Sequence, residues 1–89
     1  MQTVMERIDG VEAWMVQYMA DLLDIPGQSV DVLKTFDRFG LDSTATVSFT
    51  SDLGRWLGVK LDTAIMIEND TIKSVAQFIR AQHGATASA

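Results

Sequence analysis

The run Gly40-Leu41-Asp42-Ser43 sets one serine hydroxyl between a glycine turn and the opening of an amphipathic stretch. A serine does nucleophilic chemistry when a positioned base takes its proton and an oxyanion site receives the developing charge. The sequence offers neither. It has no cysteine, and its one histidine, His83, stands in the tail, where it reads as an exposed residue or a cation at a helix C-terminus. No glycine-rich phosphate cradle occurs. The acidic residues are scattered without metal-ligand spacing and read as a solvated surface, so no catalytic residue and no metal site are expected. Two roles remain for Ser43. It caps a helix, the common use of Ser or Asp before an apolar run, or it is an attachment point for something made elsewhere.

The elements that would hold this serine follow from periodicity. Val11, Met15, Tyr18 and Leu22 fall at i, i+4, i+7 and i+11, widened by Trp14, Met19 and Leu23, which predicts a first helix. Asp9 and Glu12 have the spacing of a capping box at its start, and Pro26-Gly27 forces it to stop near Asp24. From Pro26 to Asp42 the apolar residues Val30, Leu33, Phe36, Phe39 and Leu41 lack a period. This segment is expected to be a long connection pinned onto the core by its own side chains. A second helix is predicted from Ser43 to Leu57 with Gly58 ending it. Its buried face is Phe49, Leu53 and Trp56/Leu57 with Val47 beside them, and its outer face is Thr44, Ser48, Ser51 and Arg55. Gly54 inside it weakens the helix and permits a close neighbour. A short helical turn is expected around 63–67. The last helix carries Ile72, Val75, Ala76 and Ile79, with Asp70 or Thr71 as cap and Gly84 as end. The expected fold is all-α: three main helices plus a short one in the loop before the last. Trp14, Trp56, Phe49 and the methionines read as core.

With 89 residues and 47% apolar content, the chain is expected to form one domain over 1–84, followed by a disordered tail over 85–89. Seven basic against twelve acidic residues give a net charge of −5, which makes nucleic acid and anionic membranes poor partners and basic protein surfaces good ones. The N-terminus lacks the charged and apolar regions of a signal peptide, and no apolar run approaches membrane-spanning length. A soluble, monomeric, cytoplasmic protein is the expectation.

Taken together, the first helix, the long loop, Phe39-Gly40-Leu41-Asp42-Ser43 opening a second helix that ends in Trp56-Leu57-Gly58-Val59, and Asp70-Thr71-Ile72 before the last helix resemble an acyl carrier protein of the polyketide/fatty-acid synthase type. The resemblance covers about residues 11–79. It implies an acyl-carrier-like bundle and a 4'-phosphopantetheine arm, derived from coenzyme A, attached through a phosphodiester to Ser43. A phosphopantetheinyl transferase would install the arm, helped by Asp42 beside the serine. The terminal thiol would carry acyl groups as thioesters, supplied by an acyltransferase or a fatty acyl-AMP ligase and used by a ketosynthase or other synthase domains. Local physics suits the arm, because a helix N-terminus offers unpaired amides and positive potential to a phosphate.

The sequence departs from the family's pattern after the serine. Thr44 replaces the usual leucine or methionine and Ser48 the common glutamate, so the outer face of the second helix carries no acid. Asp37, Asp42, Asp52 and Asp62 are then the nearby candidates for negative charge. Partner recognition is expected to lean on Asp37, Arg38, Phe39 and Leu41 in the loop and on the hydroxyls of Thr44 and Ser48. The segments Glu12-Ala13-Trp14 and Asp52-Leu53-Gly54-Arg55-Trp56-Leu57-Gly58, with the serine motif, look similar to carriers charged by fatty acyl-AMP ligases in polyketide or lipopeptide assembly lines. Two alternatives stay open: a peptidyl carrier of nonribosomal synthesis, and a helical protein-interaction module in which Ser43 only caps. Gly-Leu-Asp-Ser favours the acyl carrier over the peptidyl one.

Overall fold

The computed structural model describes residues 4–84, so the expected disordered tail lies outside the described residues, as does the His83 side chain. The predicted first helix forms as α2 (Val11–Leu23), preceded by a short helix, α1 (Val4–Asp9), that the periodicity did not reveal. The capping box at Asp9 and Glu12 is therefore not made. Asp9 ends α1, and Gly10 is the N-cap of α2 without a side-chain bond. Gly10 joins the two helices through its own backbone, its N–H donating to Glu6 O at 3.0 Å and its carbonyl accepting from Trp14 N at 3.0 Å. Asp24, in the left-handed region at φ 56°, closes α2 before Pro26.

The predicted second helix is α3 (Ser43–Leu57), capped by Asp42 and ended by Gly58 at φ 78°. Its inner residues Phe49, Leu53 and Leu57 are fully buried. Gly54 is required by a close approach: a Cβ there would stand 2.8 Å from the carbonyl oxygen of Val59, where the chain folds back after Gly58. Beyond it come α4 (Ala64–Glu68) and α5 (Ile72–Ile79), the latter running into a π-helical turn over Arg80–Gly84. Thr71, not Asp70, caps α5, its hydroxyl accepting from Ser74 N at 3.1 Å. Eight residues are too few for a stable isolated helix, so α5 is held by its buried stripe Ile72, Val75, Ala76 and Ile79.

The fold is the expected all-α bundle, with α2, α3 and α5 as its long members. Its core joins Met15, Met19, Phe49, Leu53, Met66 and Ile72, and Trp14 and Trp56 stack at its edge with ring centroids 5.3 Å apart. Trp14 faces Trp56 while Tyr18, one turn on, donates to Asp52, so α2 and α3 run antiparallel. Arg80 at the far end of α5 reaches the carbonyl of Asp9, which sets α5 antiparallel to α2 as well. Arg7 Nη1 donates to Trp56 O at 2.6 Å and fastens α1 to the end of α3. The loop between α2 and α3 is pinned by Val30, Phe36, Phe39 and Leu41 as expected, whereas Leu33, also expected to pin it, is 66% exposed because it stands at the outer side of the loop with no element over it. Phe36 is buried, its N–H donates to Asp70 O at 2.9 Å, and Thr35 forms a single antiparallel bridge with Thr71.

Two expected core residues are not in the core. Val47 is 51% exposed and Leu22 is 49% exposed. Val47 lies one turn from both Ser43 and Ser51 and so shares their outward face. Leu22 keeps its place in the apolar stripe but stands in the last turn of α2.

Candidate functional site

The loop delivers Ser43 through a tight turn. Phe39 N and Gly40 N donate to Thr35 O and Asp37 O at 3.1 and 3.0 Å, and Leu41 N returns to Phe36 O at 3.2 Å. Gly40 sits at φ 89° with open space around it, a backbone conformation that glycine adopts without steric cost. Phe36 anchors this turn in the core, so the residues after it are presented from a fixed base.

Asp42 is the N-cap of α3. Its backbone is extended, and its Oδ1 accepts the N–H of Ala45 at 2.8 Å. Its carbonyl takes the amide and hydroxyl of Thr46, both at 2.9 Å. Ser43 is thus the first residue inside the helix, and the capping role belongs to its neighbour. The Ser43 side chain is exposed, and its hydroxyl has no hydrogen-bond partner among the described residues. The amides of Ser43 and Thr44, in the first turn, have no intrahelical acceptor.

The other predicted site residues divide. Thr44, Ser48, Asp37 and Arg38 are exposed, while Phe39 and Leu41 are half-buried against the core. Lys34 Nζ lies 5.0 Å from the centre of the Phe39 ring and covers it. The candidate acids are largely committed within the chain. Asp42 caps α3 and Asp62 Oδ1 accepts the N–H of Ala64 at 2.9 Å. Asp52 accepts from Tyr18 Oη at 2.7 Å and lies 3.9 Å from Arg55. Burial, then the Asp52 hydrogen bond and charge, push the Tyr18 phenol up to about 12. Among these four, Asp37 alone has an exposed side chain with no bond of its own among the described residues.

Val47, expected on the buried face, stands instead beside the site. With Ser43, Thr44 and Ser48 it lines a shallow open depression beside the serine. It also edges a second cleft of about 340 Å³ between α3 and the 59–63 segment, floored by Gly54, Val59 and Leu61. The signal was available, since 43, 47 and 51 share one helix face. No group of three or more metal-ligating side chains occurs among the described residues.

Residues 13–79 match the model of the family described as "Phosphopantetheine attachment site". The chain belongs to that family, the family of the acyl carrier proteins. It is 36% identical over 74 residues to acyl carrier protein TtuC of Teredinibacter turnerae, covering 83% of this chain and 85% of that one. Solved carrier structures share the fold. A free-standing peptidyl carrier protein from a secondary metabolic pathway of Acinetobacter baumannii superposes with a TM-score of 0.75 at 20% identity, over 84% of this chain and 94% of that one. BlmI, a type-II acyl carrier protein of Streptomyces verticillus involved in bleomycin biosynthesis, gives 0.73 at 18% identity, over 85% and 89%. The carrier's cofactor is covalent 4'-phosphopantetheine. The chemistry at the start of α3 fits it: a free hydroxyl for the phosphodiester, and two unpaired amides at the positive end of a helix for the phosphate. Among the described residues, no helix is long and apolar enough to cross a membrane.

Proposed function

We propose that the arm is attached at Ser43 and that the protein is an acyl carrier of polyketide or related lipid or lipopeptide biosynthesis. The observation that carries this reading is the division of labour between neighbours. Asp42 satisfies the helix end, which leaves the Ser43 hydroxyl exposed and unbonded at the point where a transferase can reach it. The reading in which Ser43 is only a cap loses its ground, because the cap is Asp42.

The chain's own residues hold and orient. Gly40 makes the turn, Phe36 anchors it, and Asp42 fixes the first turn of α3 through Ala45 N with one carboxylate oxygen. The other oxygen of Asp42 has no partner among the described residues and is free to assist modification of the adjacent serine. When bound, the arm supplies the thiol that the cysteine-free chain lacks, and acyl groups travel on it as thioesters. The domain performs no chemistry itself. Its partners in this reading are a phosphopantetheinyl transferase, an acyltransferase or fatty acyl-AMP ligase, and a ketosynthase or similar domain. The acyl over the peptidyl role is supported by Gly40-Leu41-Asp42-Ser43 and by the likeness to TtuC.

The test is intact mass after incubation with a broad-specificity phosphopantetheinyl transferase and coenzyme A. The wild type should gain one arm and Ser43→Ala none. A folded wild type that stays unmodified beside an active transferase would refute the assignment.

A further inference from the structure

Beyond Phe36 the turn that leads to Ser43 has little packing of its own. Asp37, Arg38, Gly40 and Asp42 are exposed, and only Phe39 and Leu41 are half-buried. Gly40 adds a backbone position with no side chain to restrict it. What orders the turn is its hydrogen bonds. Four consecutive amides, from Arg38 to Leu41, each find an acceptor, and two of the four end on Thr35. Phe39 N donates to the Thr35 carbonyl at 3.1 Å, and Arg38 N donates to the Thr35 hydroxyl oxygen at 3.3 Å.

Thr35 is held to the bundle from its other side. It faces Thr71 across the single antiparallel bridge. Two backbone bonds flank that bridge, Phe36 N to Asp70 O at 2.9 Å and Lys73 N to Val32 O at 3.1 Å. Thr71 starts α5. Its hydroxyl accepts from Ser74 N and donates to Ser74 Oγ at 2.9 Å, and its carbonyl accepts from Val75 N at 3.0 Å. Ile72 and Val75, which follow, are fully buried. A continuous path of bonds therefore runs from the buried start of α5 to the turn before the serine, and it enters that turn at Thr35.

The Thr35 hydroxyl contributes little stability. Arg38 is exposed, so water can replace this acceptor at small cost, and 3.3 Å lies just beyond the usual range for an amide donor. Thr35 is only half-buried and stands outside the core. What the hydroxyl supplies is order: it closes the first step of the turn over the bridge and restricts the swing of the 37–42 segment. Group transfer needs that order, because a displacement of about 1 Å in the reacting atoms costs up to a hundredfold in rate.

We infer that Thr35 is a positioning residue for transfer of the arm to Ser43, acting through the turn and referred to α5 by its bridge to Thr71. The inference rests on the carrier reading. In the transfer the Ser43 oxygen forms a bond to the pantetheine-bearing phosphorus of coenzyme A. The bond from that phosphorus to the bridging oxygen of the pyrophosphate breaks, adenosine 3',5'-bisphosphate leaves, and the hydroxyl proton passes to the transferase. Thr35 touches none of these atoms; it sets where the serine stands.

The experiment follows arm transfer from coenzyme A by a phosphopantetheinyl transferase, read by intact mass, on wild type, Thr35→Val and Thr35→Ser. Valine keeps the branched shape and removes the acceptor, whereas serine keeps the acceptor. Thr35→Val should lower kcat about fivefold with KM for the carrier within about twofold, and Thr35→Ser should restore kcat. The melting temperature of Thr35→Val should stay within about 3 °C of wild type. Amide hydrogen exchange on the unmodified chain reads the same effect apart from activity. Arg38 and Phe39 should exchange about fivefold faster in Thr35→Val, while Val75 keeps its wild-type rate. A wild type that takes no arm overturns the carrier reading, and this inference falls with it. A wild type that takes the arm while Thr35→Val takes it equally fast overturns this inference alone. So would a loss that serine does not restore, or one accompanied by a lower melting temperature and faster exchange at Val75, which would make Thr35 structural.

Discussion

At the scale of single residues, Asp42 and Ser43 look interchangeable in sequence and are opposite in structure. The Asp42 side chain is bonded to the first turn of α3, and the Ser43 hydroxyl has no partner among the described residues. Ser43→Ala should therefore leave the unfolding free energy within about 0.5 kcal/mol of wild type, as for a surface change away from any special feature. Asp42→Ala should cost about 1 kcal/mol through the lost cap and also slow arm installation; urea titration and a mass time course read the two effects. Tyr18 gives a pH prediction. Its phenol is pushed up to about 12 from an ordinary 10.0, so the folded state holds the proton more tightly. The associated stability is complete below pH 10 and is lost as pH rises from 10 to 12. Denaturation midpoints across that window should fall for wild type and fall less for Tyr18→Phe.

At the scale of elements, α3 is set by its two ends and by one glycine. Its start, its stop at Gly58 and its inner face were legible because caps and periodicity are local signals, and they lie where the sequence puts them. Gly54 tests the tertiary contribution. In an isolated helix, Gly→Ala would gain about 1 kcal/mol of helix propensity. Here the new Cβ would meet backbone 2.8 Å away at Val59 O, and backbone cannot swing aside as a side chain can. Gly54→Ala should destabilise by about 1–3 kcal/mol, visible as a lower melting temperature; a gain would show that the 59–61 segment yields. The start of α2 was misread for a related reason. The Asp9–Glu12 spacing satisfies a capping pattern, but α1 already occupies Asp9, so Gly10 became the junction.

At the scale of the whole molecule, the bundle is closed by contacts between residues far apart in the chain. Arg7 reaching Trp56 O spans 49 positions and holds α1 against α3. Arg7→Met keeps the aliphatic stem and removes this bond. It should cost about 1–3 kcal/mol and loosen the Trp14–Trp56 stack, readable as altered tryptophan fluorescence before global unfolding. No periodicity could have announced this clasp. Val47 and Leu22 were placed in the core because helical spacing allowed it, and they are exposed because no neighbour covers those turns.

The sequence by itself determined α3, α5 and the body of α2, the serine motif and the family they belong to, since each depends on residues within a few positions of one another; α1 it did not reveal. Only the tertiary structure decided that Asp42 takes the cap and leaves Ser43 free. It also decided that Asp52 is engaged by Tyr18 from another helix, and that Val47 stands exposed beside the serine. The physical reason is common to all three: which groups are satisfied, and which remain open to a partner, depends on neighbours brought together by packing and not on those adjacent in the chain.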